Sequence, residues 1–196
     1  MNRWLTVPNL LTLTRIAMTP LIAWTILLPA PRQALALLFA AGLTDGVDGY
    51  LARRFGWSSS AGAVLDPIAD KFLMAATYIA LWRAGLLPGW LIALVFGRDV
   101  LILAGAGFLL ARRVRRELRP SRWGKLSTFV QLLTATAALA AAAFPAAPLE
   151  VLAGALIPLA AAATVWSGVH YFYLGLIRPA PGTPAAANGA GRKQPG

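Results

Sequence analysis

Four aspartates lie close together in the sequence and could bind metal. Asp45 and Asp48 are followed by Asp66 and Asp70, and these four make up most of the seven carboxylates in the chain. The stretch that carries them runs into apolar segments on both sides. Bare carboxylates at a membrane boundary cost several kcal/mol each unless a cation compensates them. The spacing therefore predicts a bound metal.

The first pair of aspartates belongs to a face built from acidic and very small residues. A helix turns by about 100° per residue, so Asp45 and Asp48 lie about 60° apart, and Gly49 and Ala52 fall on the same face. Glycine and alanine leave space beside the backbone that a larger side chain would fill. This face is suited to a bulky ligand with its metals.

The second pair shows the same arrangement on the following apolar segment. Gly62, Asp66 and Asp70 step by four residues, which stacks the two carboxylates on one helix face. The two acidic faces brought together would form an all-oxygen site. Such a site selects Mg²⁺, Mn²⁺ or Ca²⁺, since the chain has no cysteine and a single histidine. Two divalent ions would nearly neutralise the four carboxylates and could bridge a diphosphate, which is the chemistry of phosphoryl-type transfer.

Two other interpretations of the aspartates remain open. They could pair structurally with Arg53, Lys71 or Arg98, as isolated acids in membranes often do. They could also line the path of a cation-coupled transporter, but that interpretation predicts acids spread over the depth of the membrane, and here they cluster at one end of their segments. The helical spacing and the small neighbours favour the metal site.

Composition places the chain in a membrane. Of its 196 residues 58% are hydrophobic and the mean hydropathy is +0.65, whereas soluble domains are about 45–50% apolar. The net charge of +11 sits mostly between apolar segments, where the positive-inside rule explains it without nucleic acid. The start of the chain lacks the features of a cleaved signal, so we expect the first span to remain as an anchor.

The apolar segments predict an all-α integral membrane protein with six transmembrane helices, because a span needs about 20 apolar residues and no alternating barrel strands are evident. The predicted spans are 9–29, 33–53, 65–82, 88–111, 126–144 and 149–177. We expect a short interfacial helix at 1–8, one domain over 1–178, and a disordered tail rich in proline, alanine and glycine at 179–196.

The distribution of basic residues predicts the orientation. Most arginines and lysines lie near the two termini, after the second span and after the fourth, while the intervening loops carry only Arg32 and Arg83. Both termini and the aspartates are therefore expected on the cytoplasmic side, where nucleotides and magnesium are found.

The full motif resembles the signature of a known enzyme family. The sequence reads Asp45-x2-Asp48-Gly49-x2-Ala52-Arg53-x8-Gly62-x3-Asp66-x3-Asp70, and every position matches the signature of the CDP-alcohol phosphatidyltransferase family. This resemblance implies a six-helix membrane fold of that type, a homodimer, and a site for two Mg²⁺ or Mn²⁺ ions that opens to the cytoplasm, in a bacterial inner membrane.

The resemblance also implies roles for individual residues. Asp45, Asp48, Asp66 and Asp70 would bind metal, and Asp66 and Asp70 would be catalytic, with Asp70 as general base on the acceptor hydroxyl. The residues expected to bind CDP-diacylglycerol are Asn9, Thr12, Gly49, Ala52, Arg53 and Gly62. The family is also similar in carrying an asparagine, a threonine and an arginine near the start of the first span that help bind the CDP headgroup, which here are Asn9, Thr12 and Arg15. The alternative is ordinary helix capping by Asn9 and Thr12, with Arg15 extending toward lipid phosphate.

The later part of the chain bears on the acceptor alcohol. Arg98, Arg119 and Lys125 are candidate acceptor-binding residues, although Arg98 could simply pair with Asp99, and the basic loop could hold anionic lipid. The stretches 97–100, 118–131 and 170–173 resemble CMP-forming cardiolipin synthases, which use phosphatidylglycerol. The opening residues and Gly124-Lys125 are similar to phosphatidylglycerophosphate synthases, which use glycerol 3-phosphate. The predicted reaction is CDP-diacylglycerol plus phosphatidylglycerol giving cardiolipin and CMP.

Overall fold

The computed structural model of the protein describes residues 7–55, 62–111 and 122–173. Within these ranges all regular structure is α-helical. The helices are α1 (Val7–Leu27), α2 (Pro31–Phe55), α3 (Gly62–Arg83), α4 (Gly89–Ala111), α5 (Arg122–Ala143) and α6 (Ala147–Phe172). Each predicted span overlaps one helix, and the helix ends next to the three described turns lie within about two residues of the predicted ends.

Two predicted features lie largely outside the described residues. Of the interfacial helix expected at 1–8, only Val7 and Pro8 are described, and both are part of α1. The tail expected at 179–196 lies beyond the last described residue, Tyr173.

The turn between α3 and α4 depends on one glycine. Gly85 has φ of +76°, a left-handed conformation that costs other residues about 1–2 kcal/mol. Its N–H donates to the carbonyl of Trp82, and the N–H of Leu86 donates to the carbonyl of Leu81. This pair of bonds is the Schellman motif, which satisfies the last carbonyls of a helix. Gly85 therefore ends α3 and lets the chain reverse into α4.

Prolines mark the other two described turns. Pro31 is the first residue of α2 and Pro148 the second residue of α6, positions where a missing N–H removes no helical hydrogen bond. Glu150 follows in the first turn of α6, where a negative charge interacts favourably with the helix dipole. Proline or glycine therefore stands at each of the three turns that lie within the described residues.

The six helices pack in a closed ring. Going round it, α1 packs against α3, α3 against α4, α4 against α6, α6 against α5, α5 against α2, and α2 against α1. Helix α3 also reaches α5 across the interior. Helix α1 thus lies between α2 and α3, the two helices that carry the aspartates.

The surface of the ring is strongly apolar. Large hydrophobic side chains are exposed on all six helices, among them Trp24, Phe39, Leu101, Phe129 and Val151. Within the described residues, α5 and α6 are long and apolar enough to cross a membrane by length and composition.

A polar cluster joins α3, α5 and α6 inside the ring. The amide nitrogen of Gln131 donates to the hydroxyl of Thr164 at 2.9 Å, and the hydroxyl of Tyr78 donates to the carbonyl of Gln131, also at 2.9 Å. All three side chains are buried. Because buried polar groups need protein partners, these bonds fix how the three helices face one another.

Replacing Gly85 should destabilise the protein. We expect Gly85→Ala to lower the free energy of unfolding by about 1 kcal/mol, because alanine disfavours a positive φ. The matched control is Gly154→Ala in α6, where a Cβ would meet no atom within 4 Å and the higher helix propensity of alanine should leave stability unchanged or slightly raised. Thermal unfolding in one detergent measures both. Equal midpoints for Gly85→Ala and the wild type would contradict the role of this turn.

Candidate functional site

Two of the predicted metal ligands meet side chains of α1. Asp66 and Asp70 occupy the first turns of α3. The hydroxyl of Thr12 donates a hydrogen bond to Oδ1 of Asp66. Nη1 of Arg15 lies 2.6 Å from Oδ1 of Asp70 and forms a salt bridge with it. The structure therefore brings Thr12, Asp66 and Asp70, three predicted site residues, to one place between α1 and α3.

The partner of Asp70 is Arg15, which the resemblance grouped with Asn9 and Thr12 as a possible contact of the CDP headgroup, but whose pairing with Asp70 was not predicted. The side chain of Arg15 is only 2% exposed, while that of Asp70 is 53% exposed. A buried guanidinium is costly unless it is paired, so an arginine inside an apolar span is itself a signal for an acidic partner. Its position one turn after Thr12 could have pointed to this neighbourhood.

The structure corrects the alternative reading of the α1 residues. Helix α1 begins at Val7, so Thr12 lies in its second turn and is too far along the helix to cap it. Arg15 does not extend toward lipid phosphate, because its side chain is buried against Asp70. Asn9 is also inside α1 rather than at its cap, and its side chain lies outside the described residues.

The other acidic face belongs to α2. This helix is continuous to Phe55, so the expected register of Asp45, Asp48, Gly49 and Ala52 on one face holds for the backbone. Their side chains, and that of Arg53, lie outside the described residues. Gly62 is the first residue of α3. Helix α1 packs against both α2 and α3, the two helices that carry the acidic segments.

The donor atoms fit a hard divalent cation. Among the described side chains, groups of three or more histidine, cysteine, aspartate or glutamate residues are absent; Asp66 and Asp70 are two of the four expected ligands. They offer carboxylate oxygens one helical turn apart, and the Asp70 side chain is half exposed. Oxygen donors of this kind suit Mg²⁺ or Mn²⁺ better than zinc or copper.

The guanidinium of Arg98, on α4, is held by Asp99 on the same helix and by Ser167 and Tyr171 on α6. Nη2 donates to the hydroxyl of Ser167 at 2.7 Å, Nη1 lies 2.7 Å from Oδ1 of Asp99, and the guanidinium carbon is 5.6 Å from the centre of the Tyr171 ring. A Cβ on Gly124 would come within 2.9 Å of the Tyr171 hydroxyl oxygen. The small residue at 124 therefore makes room for the aromatic ring beside Arg98.

Asp99 connects this cluster to the aspartate helix. Its second oxygen, Oδ2, pairs with Nζ of Lys71, which directly follows Asp70 on α3. Lys71 and Arg98 were possible partners for the four aspartates, but both pair with Asp99 in this structure, and Asp70 pairs with Arg15. Asp99 thus pairs with two cationic side chains, Lys71 and Arg98, beside the site.

The remaining acceptor candidates lie at or near the start of α5. Lys125 is exposed in the first turn of this helix, next to Gly124. Arg119 lies outside the described residues. A Cβ on Gly124 would also lie 3.4 Å from Nη2 of Arg98, so the backbone of Lys125, the next residue, lies close to the Arg98 cluster.

Comparison with known proteins gives a consistent family. The model of the CDP-alcohol phosphatidyltransferase family matches residues 5–166. The CMP-forming cardiolipin synthase of Rattus norvegicus is 36% identical over 159 residues, which cover 73% of this chain and 52% of that protein. The human enzyme of the same name is 35% identical over 159 residues, with the same two coverages of 73% and 52%.

A second group of relatives is similar to nearly the same degree. The probable phosphatidylglycerophosphate synthase of Mycobacterium tuberculosis H37Rv is 35% identical over 171 residues, which cover 83% of this chain and 78% of that protein. The chain spans about half the length of the two mammalian cardiolipin synthases.

Neutralising Asp99 should destabilise the protein more than removing Lys71. Asp99→Asn leaves the charge of Arg98, which is only 9% exposed, without its carboxylate, and we expect a loss of about 2 kcal/mol, the scale of a hydrogen bond to a buried charge. Lys71→Met removes a pair whose lysine is 55% exposed, and such pairs contribute about 0–1 kcal/mol. Thermal unfolding of both variants in detergent compares them. A larger effect of Lys71→Met would contradict this ranking.

Proposed function

The chain belongs to the CDP-alcohol phosphatidyltransferase family, which is membrane-bound, and we propose that it transfers a phosphatidyl group from CDP-diacylglycerol to phosphatidylglycerol, giving cardiolipin and CMP. The observation that carries the proposal is the complete aspartate motif within the region that matches the family. The similarity to CMP-forming cardiolipin synthases supports this choice of acceptor.

In this proposal the four aspartates hold two Mg²⁺ or Mn²⁺ ions. Asp45 and Asp48 contribute from α2, and Asp66 and Asp70 from α3. When bound, the ions would neutralise charge on the diphosphate as the phosphoanhydride bond breaks. The oxygen-only donors and the partial exposure of Asp66 and Asp70 support the assignment.

The reaction is an in-line displacement at phosphorus. A terminal hydroxyl oxygen of the acceptor forms a bond to the phosphorus that carries diacylglycerol, and the bond from that phosphorus to the CMP oxygen breaks. The hydroxyl proton passes to a carboxylate oxygen of Asp70. The exposure of the Asp70 side chain supports this role, since a general base must reach its substrate.

The donor and acceptor lipids are assigned to different helices. Arg53 would bind the diphosphate of CDP-diacylglycerol, and small residues would make room for the nucleotide and the entrance. The donor-binding set is Asn9, Thr12, Gly49, Ala52, Arg53 and Gly62. Arg98, Arg119 and Lys125 would attract the anionic acceptor. The fixed position of Arg98 beside Asp99 and Lys71 supports a basic subsite close to Asp70.

We propose that residues 1–178 form one domain of six membrane-spanning helices that works as a homodimer in a bacterial inner membrane. The positive charges near the termini support a cytoplasmic location for both ends of the chain and for the site.

Removing the charge of either α3 aspartate should abolish the reaction. We expect Asp66→Asn and Asp70→Asn to reduce CMP release from CDP-diacylglycerol by at least about 100-fold, because each loses a metal-binding or proton-accepting oxygen. Both variants should still fold, with Asp70→Asn the less stable, since it removes the charge that pairs with Arg15 but keeps an amide oxygen that can accept the same hydrogen bond. Metal-dependent CMP release by purified protein measures this. Glu150→Gln, an exposed acid in the first turn of α6, is the control and should retain full activity. Near-normal CMP release from either aspartate variant would refute the assignment, and metal-dependent ion flux without CMP release would indicate a transporter.

The acceptor can be identified from the lipid product. Purified protein given CDP-diacylglycerol with phosphatidylglycerol and labelled glycerol 3-phosphate in competition should form cardiolipin in excess. Phosphatidylglycerophosphate as the main product, without cardiolipin, would instead identify a phosphatidylglycerophosphate synthase. That alternative is supported by the similarity to the mycobacterial protein, of which this chain covers 78%.

A further inference from the structure

Helix α1 presents two hydrogen-bond donors in register with the two carboxylates of α3. Thr12 and Arg15 are three residues apart, and Asp66 and Asp70 are four apart. At about 1.5 Å per residue, these separations are about 4.5 and 6 Å along the two helix axes. One donor therefore meets each carboxylate, on consecutive turns of two closely packed helices.

The donors are much less accessible than the groups they bind. Thr12 and Arg15 are 0% and 2% exposed, while the Asp70 side chain is half exposed. Donors held inside the bundle have fixed positions, because packing limits their rotamers. Buried donors thus hold both carboxylates, while the side chain of Asp70 remains accessible.

The hydroxyls of Thr12 and Thr19, both on α1, donate hydrogen bonds to different kinds of acceptor. Thr19 is also buried on α1, and its hydroxyl donates to the carbonyl of Arg15 within the same helix at 2.9 Å. The hydroxyl of Thr12 donates across the helix pair to Asp66. A carboxylate has two oxygens and about four lone-pair sites, so this bond is compatible with metal binding by the same group.

We propose that Thr12 and Arg15 are positioning residues that hold Asp66 and Asp70 in the orientation that binds divalent metal. This inference rests on the proposed function, because it takes the two aspartates as metal ligands. Beside the donor-binding role proposed above, it gives Thr12 a role through Asp66, and it gives Arg15 a role through Asp70. Groups that orient metal ligands typically change metal affinity 10–100-fold when removed.

The test is metal binding without any lipid substrate. Purified wild-type protein and variants are titrated with Mn²⁺ alone, and free Mn²⁺ is followed by electron paramagnetic resonance. Thr12→Val keeps the shape of the side chain and removes the hydroxyl, so its Mn²⁺ affinity should fall about 10–100-fold. Thr12→Ala lacks the same hydroxyl and should show a similar loss. Thr12→Ser keeps the hydroxyl and should stay within about threefold of the wild type.

Thr19→Val is the matched control. It removes a buried threonine hydroxyl from the same helix, but one that bonds to its own backbone, so Mn²⁺ affinity should be unchanged. A loss of affinity in Thr19→Val equal to that in Thr12→Val would overturn the inference, because it would indicate general loosening of α1.

The outcomes separate this inference from the proposed function. If the wild type binds Mn²⁺ and Thr12→Val binds it equally well, the positioning role is refuted while the transferase proposal stands. Unchanged Mn²⁺ affinity together with weaker CDP binding by Thr12→Val would also refute it, in favour of direct nucleotide contact. If the wild type itself fails to bind Mn²⁺, the metal-dependent function and the inference built on it both fall.

Discussion

The pairing of Arg15 with Asp70 is the interaction on which the site depends. A guanidinium that is 2% exposed inside an apolar bundle requires an internal carboxylate, because lipid offers no compensation and an unpaired charge would cost several kcal/mol. This requirement fixes the register of α1 against α3. Once that register is set, Thr12 faces Asp66 as well, so the stability of the helix pair and the geometry of the two carboxylates have the same origin.

The need of buried polar groups for partners also determines how α4, α5 and α6 pack. Arg98 is buried and is bound by Asp99, Ser167 and the face of Tyr171, and Gln131 is bound to α6 through Thr164. Interactions among buried polar groups have discrete geometry, unlike contacts between apolar side chains, which resemble contacts with lipid. Polar pairs therefore decide how α4, α5 and α6 face one another, while the apolar surface agrees with the membrane-bound family to which the chain belongs.

The sequence predicted the helices well because their limits are local. Proline or glycine stands at each of the three described turns, and the spacing of Asp66 and Asp70 places them on one face of a helix. The pairing between α1 and α3 was not predicted, because the relative register of two helices distant in sequence has no local signature. The hydroxyl of Thr12 was compatible with a cap, and only the start of α1 at Val7 excludes that reading. The contacts of Arg98 with Ser167 and Tyr171 on α6 could not be predicted from local periodicity either. Its pairing with Asp99 was one of two alternatives to acceptor binding, the other being pairing with the four aspartates.

The commitment of Arg98 to internal partners bears on how an acceptor would be recognised. A guanidinium fixed by Asp99, Ser167 and Tyr171 cannot rotate freely to enclose a phosphate as an exposed arginine can. In the proposed subsite it would therefore act as a fixed positive charge, partly offset by Asp99, and exposed cationic side chains such as Lys125 would make the adaptable contacts. Acceptors that differ in size would then be distinguished by those exposed residues, whereas the chemistry at phosphorus would stay with the aspartates of α2 and α3. This separation accounts for a chain whose signature is complete while its relatives fall into two groups with different acceptors.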